Sequence, residues 1–150
     1  MNREEHHTYR VTINWDEDKI GTLKSDELEQ KIRVATPPEF PGGVEGIWSP
    51  EHLFTASVSS CFMTSFTAIA EYSKFEFESL KVESEGIMSR QDGKFVMSKL
   101  ILNPVLTVLD EKHIKKGLRL LEKADTICLI TRSINSEVIV NPKVLVASEA

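Results

Sequence analysis

Residues 49–70 read SPEHLFTASVSSCFMTSFTAIA, and this stretch decides the fold. Ser49 is a good N-cap, Pro50 suits the first helical position, and Glu51 complements the positive end of a helix dipole. From Leu53 through Ala70 the chain passes 18 residues without a charge, which touches the length of a membrane-spanning helix. Seven of those 18 are Ser or Thr, however, and a lone helix so rich in hydroxyls inserts poorly. The stretch therefore predicts a long helix running to about Tyr72, buried within the protein or at a subunit contact rather than in lipid.

Upstream of this helix the pattern changes to period two. From Tyr9 to Asp16, Val11, Ile13 and Trp15 point one way while Thr12 and Asn14 point the other. That alternation predicts a half-buried strand, closed by the polar turn Asp16-Glu17-Asp18. Ile20–Leu23 and Leu28–Val34 offer two more strands, completing an antiparallel meander. Ala35–Trp48 then forms a loop of about 14 residues, rich in Pro and Gly and long for a plain connector.

Downstream, Leu80 and Val82 open a strand, and Asp92-Gly93 marks a hairpin into Lys94–Val108. A second helix begins at the Asp110 cap, with Ile114, Leu118, Leu121 and Ala124 on its apolar face. Asp125-Thr126 is expected to interrupt it and to cap a short new helix near Cys128. Val138–Val146 closes the chain as a strand broken by Asn141-Pro142. This order of elements predicts an α+β fold, a single domain spanning residues 1–150.

Composition excludes several function classes. The net charge is −5, from 23 acidic and 18 basic residues, which disfavours nucleic acid as a partner. The basic run Lys112–Lys116 alternates with apolar residues at helical spacing and reads as a solvated helix face. Met1–His7 is polar and lacks the apolar core of a secretory signal, so a cytoplasmic, reducing location is expected. Neither Cys-x-x-Cys nor a His ligand spacing occurs, so no metal is expected. Cys61 and Cys128 stand far apart in sequence, and each taken alone reads as a small buried hydrophobe. A helix N-terminus near Cys128 would lower its pKa. Were the two to meet in space, they would suggest a peroxide-reducing thiol and its resolving partner.

Together, Pro37-Pro38-Glu39-Phe40, Trp48-Ser49-Pro50-Glu51-His52-Leu53, Ser60-Cys61-Phe62 and Cys128-Leu129-Ile130-Thr131-Arg132-Ser133 resemble the OsmC/Ohr family, and in particular one of its less characterised branches. The similarity covers nearly the whole chain in element order. It implies antiparallel sheets packed around a long central helix in an intertwined homodimer. It also implies a cysteine-based peroxidase that reduces organic hydroperoxides or hydrogen peroxide without metal or cofactor. On that resemblance Cys61 is the peroxidatic thiolate, and Cys128 resolves its sulfenic acid into a disulfide that an external dithiol reopens. Glu51 holds an activating arginine, for which Arg33 on the preceding strand is the candidate and Arg132 the weaker substitute. OsmC itself has its arginine close before the Pro-Glu helix, whereas here the Pro-rich loop separates Arg33 from Glu51.

Spacing adds a point about assembly. Glu51 and Cys61, ten positions apart on one helix, lie roughly 15 Å apart along its axis. Two such helices packed antiparallel about a twofold axis would bring Glu51 of one subunit near Cys61 of the other. The alternative function is a non-catalytic homodimer of the same fold that binds an apolar small ligand at the subunit interface.

Overall fold

The structure is a computed structural model and describes residues 5–147. Part of the polar N-terminal run, residues 1–4, lies outside the described residues. The chain divides between Leu53 and Phe54 into two compact units.

The first unit is a three-stranded antiparallel sheet, β1 (Thr12–Glu17), β2 (Ile20–Lys24) and β3 (Ile32–Ala35), in that spatial order. The meander read from the sequence is present, but its third strand is shorter than Leu28–Val34. Ser25 begins a turn there, its carbonyl accepting from Leu28 N–H and its hydroxyl from Glu27 N–H, so the chain reaches the ladder only at Ile32. The expected half-burial of β1 is not found: all six of its residues are exposed. Its alternation is intact, yet neither face is covered, and Tyr9, Val11, Ile13 and Trp15 stand open to solvent. The Pro-rich loop is stitched by Phe40 N–H to the Pro37 carbonyl, Gly43 N–H to the Phe40 carbonyl and Val44 N–H to the Thr36 carbonyl. Glycine is required at position 43, where a Cβ would collide with the Pro37 carbonyl group.

Helix α1 (Pro50–Tyr72) follows. The Ser49 hydroxyl accepts from His52 N–H at 3.1 Å and meets His52 Nδ1 at 2.7 Å, so His52 closes the cap from the third helical position. At the other end Lys74 adopts φ 53° and Phe75 N–H returns to the Ala70 carbonyl, with the Phe75 side chain tucked into the core. By length and composition α1 could cross a membrane. Instead Val58, Phe62, Phe66, Ile69 and Ala70 join the buried core of the second unit.

That core lies against a mixed sheet. Strands β4 (Ser79–Gln91) and β5 (Lys94–Val108) form a long antiparallel hairpin. Asp92 and Gly93, both at positive φ, make its turn. The antiparallel sheets that the resemblance implied are found in the meander and in this hairpin, but strands β6 (Glu137–Val140) and β7 (Lys143–Val146) both run parallel to β5. The direction follows from the connection, because the chain crosses through helices before returning to the sheet. The break at Asn141-Pro142 separates β6 from β7 as expected.

A single 3-10 turn (Glu111–His113), capped by the Asp110 carboxylate on Lys112 N–H, leads into α2 (Ile114–Ile127). Its buried face is Gly117, Leu120, Leu121 and Ala124, rotated from the expected line through Leu118. The cause is Gly117, whose bare Cα lets the helix settle on β5; a Cβ there would lie 2.9 Å from Leu106 Cδ2. The expected break at Asp125-Thr126 is also displaced. The Thr126 hydroxyl turns back to the Lys123 carbonyl, and the helix ends only at Cys128, which is extended at φ −64°, ψ 113°. Helix α3 (Leu129–Arg132) starts immediately after.

Gly43→Ala drives a methyl group into backbone rather than into a yielding side chain, so the loop must shift. A loss of about 1–3 kcal/mol is expected in urea unfolding of the variant against the parent.

Candidate active site

Cys61 sits in the middle of α1, one position before fully buried Phe62, and is half-buried. Cys128, only 1% exposed, is the hinge residue between α2 and α3. The fold brings these distant thiols close enough for each to shift the other's pKa. Both belong to the second unit.

The two sulfurs have unlike surroundings. Burial pushes the Cys61 thiol up, but four donors outweigh it: the Ile130 N–H, the Cys128 thiol, the Ser65 hydroxyl and the Leu129 N–H. Cys61 therefore lies below the ordinary thiol value. For Cys128 burial dominates. The Thr131 hydroxyl and N–H pull it down, the bond and charge of Cys61 push it up, and the net direction is upward. The expectation that a helix N-terminus would lower Cys128 is thus overturned. Its position at the head of α3 is as read, but desolvation is the larger effect, and it is Cys61 that receives the first N–H groups of that helix.

The start of α3 is consequently well satisfied. Leu129 and Ile130 N–H serve the Cys61 sulfur, Thr131 N–H serves the Cys128 sulfur, and Arg132 N–H bonds the Cys128 carbonyl at 3.2 Å. Ser65, one turn beyond Cys61 on α1, places its hydroxyl 4.0 Å from the Cys61 sulfur. Sequence reasoning missed Ser65 and Thr131. The signal for them was spacing alone, i+4 from one cysteine and i+3 from the other.

The other residues read from the sequence lie elsewhere. Arg33 is exposed on β3, opposite Thr22, and lines a surface recess of about 300 Å³ with Lys31, Ile32, Gly46, Ile47 and Trp48. Glu51 is half-buried in the first turn of α1. Both belong to the first unit. Arg132 is the last residue of α3. His52 has a structural task as partner of the Ser49 cap, and its ring meets Trp48 edge-on at 6.1 Å. Among the described residues no cluster of three or more His, Cys, Asp or Glu side chains is placed to hold a metal ion.

Such a pair reacts asymmetrically. Cys61, exposed in part and with its pKa lowered, is set to meet an added electrophile first, and Cys128, buried and with its pKa raised, later. Peptide-resolved alkylation by iodoacetamide at neutral pH should modify Cys61 well before Cys128. As pH rises, Cys61 should reach its plateau rate first; the reverse order would contradict this geometry.

Comparison with known proteins agrees with the fold. The sequence profile of OsmC-like proteins matches residues 43–143. The protein YmaD of Bacillus subtilis (strain 168) is 30% identical over 139 residues, covering 89% of this chain and 90% of YmaD. Among solved structures, an OsmC-like protein from Vibrio cholerae superposes with a TM-score of 0.81 at 23% identity, over 91% of this chain and 99% of that one. An organic hydroperoxide resistance protein OsmC from Legionella pneumophila gives 0.72 at 23% identity, over 95% and 99% of the two chains. The organic hydroperoxide resistance protein OhrB of Bacillus subtilis gives 0.64 at 20% identity, over 92% and 98%. With a profile match spanning well over half its length, the chain belongs to the OsmC/Ohr family as an OsmC-like protein.

Proposed function

We propose that the protein is a thiol-dependent peroxidase that reduces organic hydroperoxides or hydrogen peroxide through Cys61 and Cys128. The single observation that carries this reading is the approach of two free thiols from distant segments, one partly accessible with its pKa lowered, the other buried with its pKa raised. The names of the hydroperoxide resistance proteins that share the fold support the choice of substrate.

The Cys61 thiolate attacks one peroxide oxygen. The S–O bond forms, the O–O bond breaks, and the departing alkoxide takes a proton to leave as alcohol (water, for hydrogen peroxide). The Cys128 sulfur then attacks the sulfenic sulfur; the S–S bond forms, and hydroxide leaves with the thiol proton as water. An external dithiol reopens the disulfide by exchange. Arg33 enters as the cation that polarises the peroxide, held by Glu51 of the partner in a homodimer. The cycle belongs in the cytoplasm, where thiols are kept reduced. Neither metal nor cofactor takes part.

Support for a homodimer comes from surfaces that one protomer leaves bare. Ser60, Met63, Thr64, Thr67, Ala68 and Tyr72 recur at helical spacing along one exposed face of α1. In the first unit, Tyr9, Val11, Ile13 and Trp15 are 56–82% exposed, an apolar stripe of the kind that marks an interface.

One equivalent of cumene hydroperoxide should convert the intact protein to a species two hydrogens lighter by mass spectrometry. Cys61→Ser should abolish peroxide consumption, and Cys128→Ser should instead accumulate a dimedone-reactive sulfenic acid on Cys61. An unchanged mass, or full turnover by Cys61→Ser, would favour the ligand-binding alternative.

Light scattering at micromolar concentration should give the mass of two chains. Met63→Asp, which puts a charge on the exposed face of α1, should shift the population toward monomer.

A further inference from the structure

We propose that Ser65 is the positioning residue of the thiol pair, its hydroxyl donating to the Cys61 sulfur and holding that sulfur toward Cys128. The observation behind this is a contrast along one helix. Ser57, Ser59, Ser60, Thr64 and Thr67 each turn the hydroxyl back to a backbone carbonyl three or four residues earlier. That is the ordinary behaviour of hydroxyls inside a helix. Ser65 instead directs its hydroxyl to the Cys61 sulfur, at 4.0 Å.

The direction of the bond follows from the chemistry of the acceptor. An ionised sulfur carries no proton, so in the reactive state only the hydroxyl can donate. A bond to a charged acceptor is worth more than one between neutral groups, and half-burial strengthens it further. Cys61 and Ser65 are also i and i+4 on a helix whose rotation is fixed by buried Phe62 and Phe66, so the pair keeps its register. Ser65 thus completes a fourfold shell whose other members come from the far side: Leu129 N–H, Ile130 N–H and the Cys128 thiol. Among the described residues, the ionisable group acting on Cys61 is Cys128. The α1 side of the shell is supplied by Ser65.

This assignment rests on the reading of Cys61 as the attacking sulfur, and alkylation tests it without any peroxide. The readout is the rate of Cys61 alkylation against pH, resolved by peptide mass spectrometry in the full-length protein. Alanine is a good helix former, so Ser65→Ala should fold, with circular dichroism as the control. Ser65→Ala should slow Cys61 alkylation at neutral pH by about threefold or more and move its titration to higher pH. Ser65→Thr, which restores a hydroxyl, should return the parent profile. An unchanged profile in Ser65→Ala would overturn the proposal, and so would an equal shift in both variants, since that would report packing rather than the hydroxyl. If the shift appears while the parent consumes no peroxide, the peroxidase reading fails and the role of Ser65 stands.

Discussion

The burial of Val58, Phe62 and Phe66 as one stripe sets the rotation of α1, and the rest of the second unit depends on that rotation. Each of these side chains is at most 1% exposed. Fully burying a side chain of this size stabilises by about 1.5–3 kcal/mol. Turning the helix by one residue would forfeit most of that for the whole stripe at once. With the stripe fixed, Cys61 and Ser65 must lie on its flank, toward α3, and Ser60, Met63, Thr64 and Thr67 must face away. One apolar contact therefore determines both where the sulfur points and which face of the helix is left exposed.

Two chemically identical side chains acquire different characters from this arrangement. Cys128 lies deepest, at a junction where α2 has ended and α3 has yet to close its first turn. Its desolvation is offset in part by Thr131 and no further. Cys61 loses less hydration, and it meets the two backbone N–H groups that a helix start leaves without intrahelical partners. The difference between the two thiols thus comes from backbone geometry and depth, and both donors and burial lie within one unit.

Local rules made much of this legible in the sequence. Ser49-Pro50-Glu51 announced the start of α1, and Asp92-Gly93 fixed the hairpin to the residue. What escaped was tertiary. The alternation of Val11, Ile13 and Trp15 announces a strand, but it is silent on whether anything in the same chain covers its apolar face, and nothing does. The face of α2 turned because Gly117 allows a close approach, which a periodicity that counts only apolar side chains overlooks. The Cys61–Cys128 pairing was suggested by resemblance, since spacing cannot bring together residues so far apart in the chain. The shell around the pair was illegible for a related reason: two of its four donors are backbone groups, which no side-chain pattern records.

The distance between the thiols along the chain has a consequence of its own. A covalent link here closes a loop of roughly 70 residues, which by chain entropy disfavours the unfolded ensemble by about 4 kcal/mol. That is a large share of the stability of an ordinary domain. When the proposed disulfide forms and is reopened, the second unit is alternately strapped and unstrapped, α1 tied to α3 in one half of the cycle and free in the other. The resting, reduced chain is then the softer one. Supply of reductant would govern how long the protein survives proteases as well as how ready it is to react.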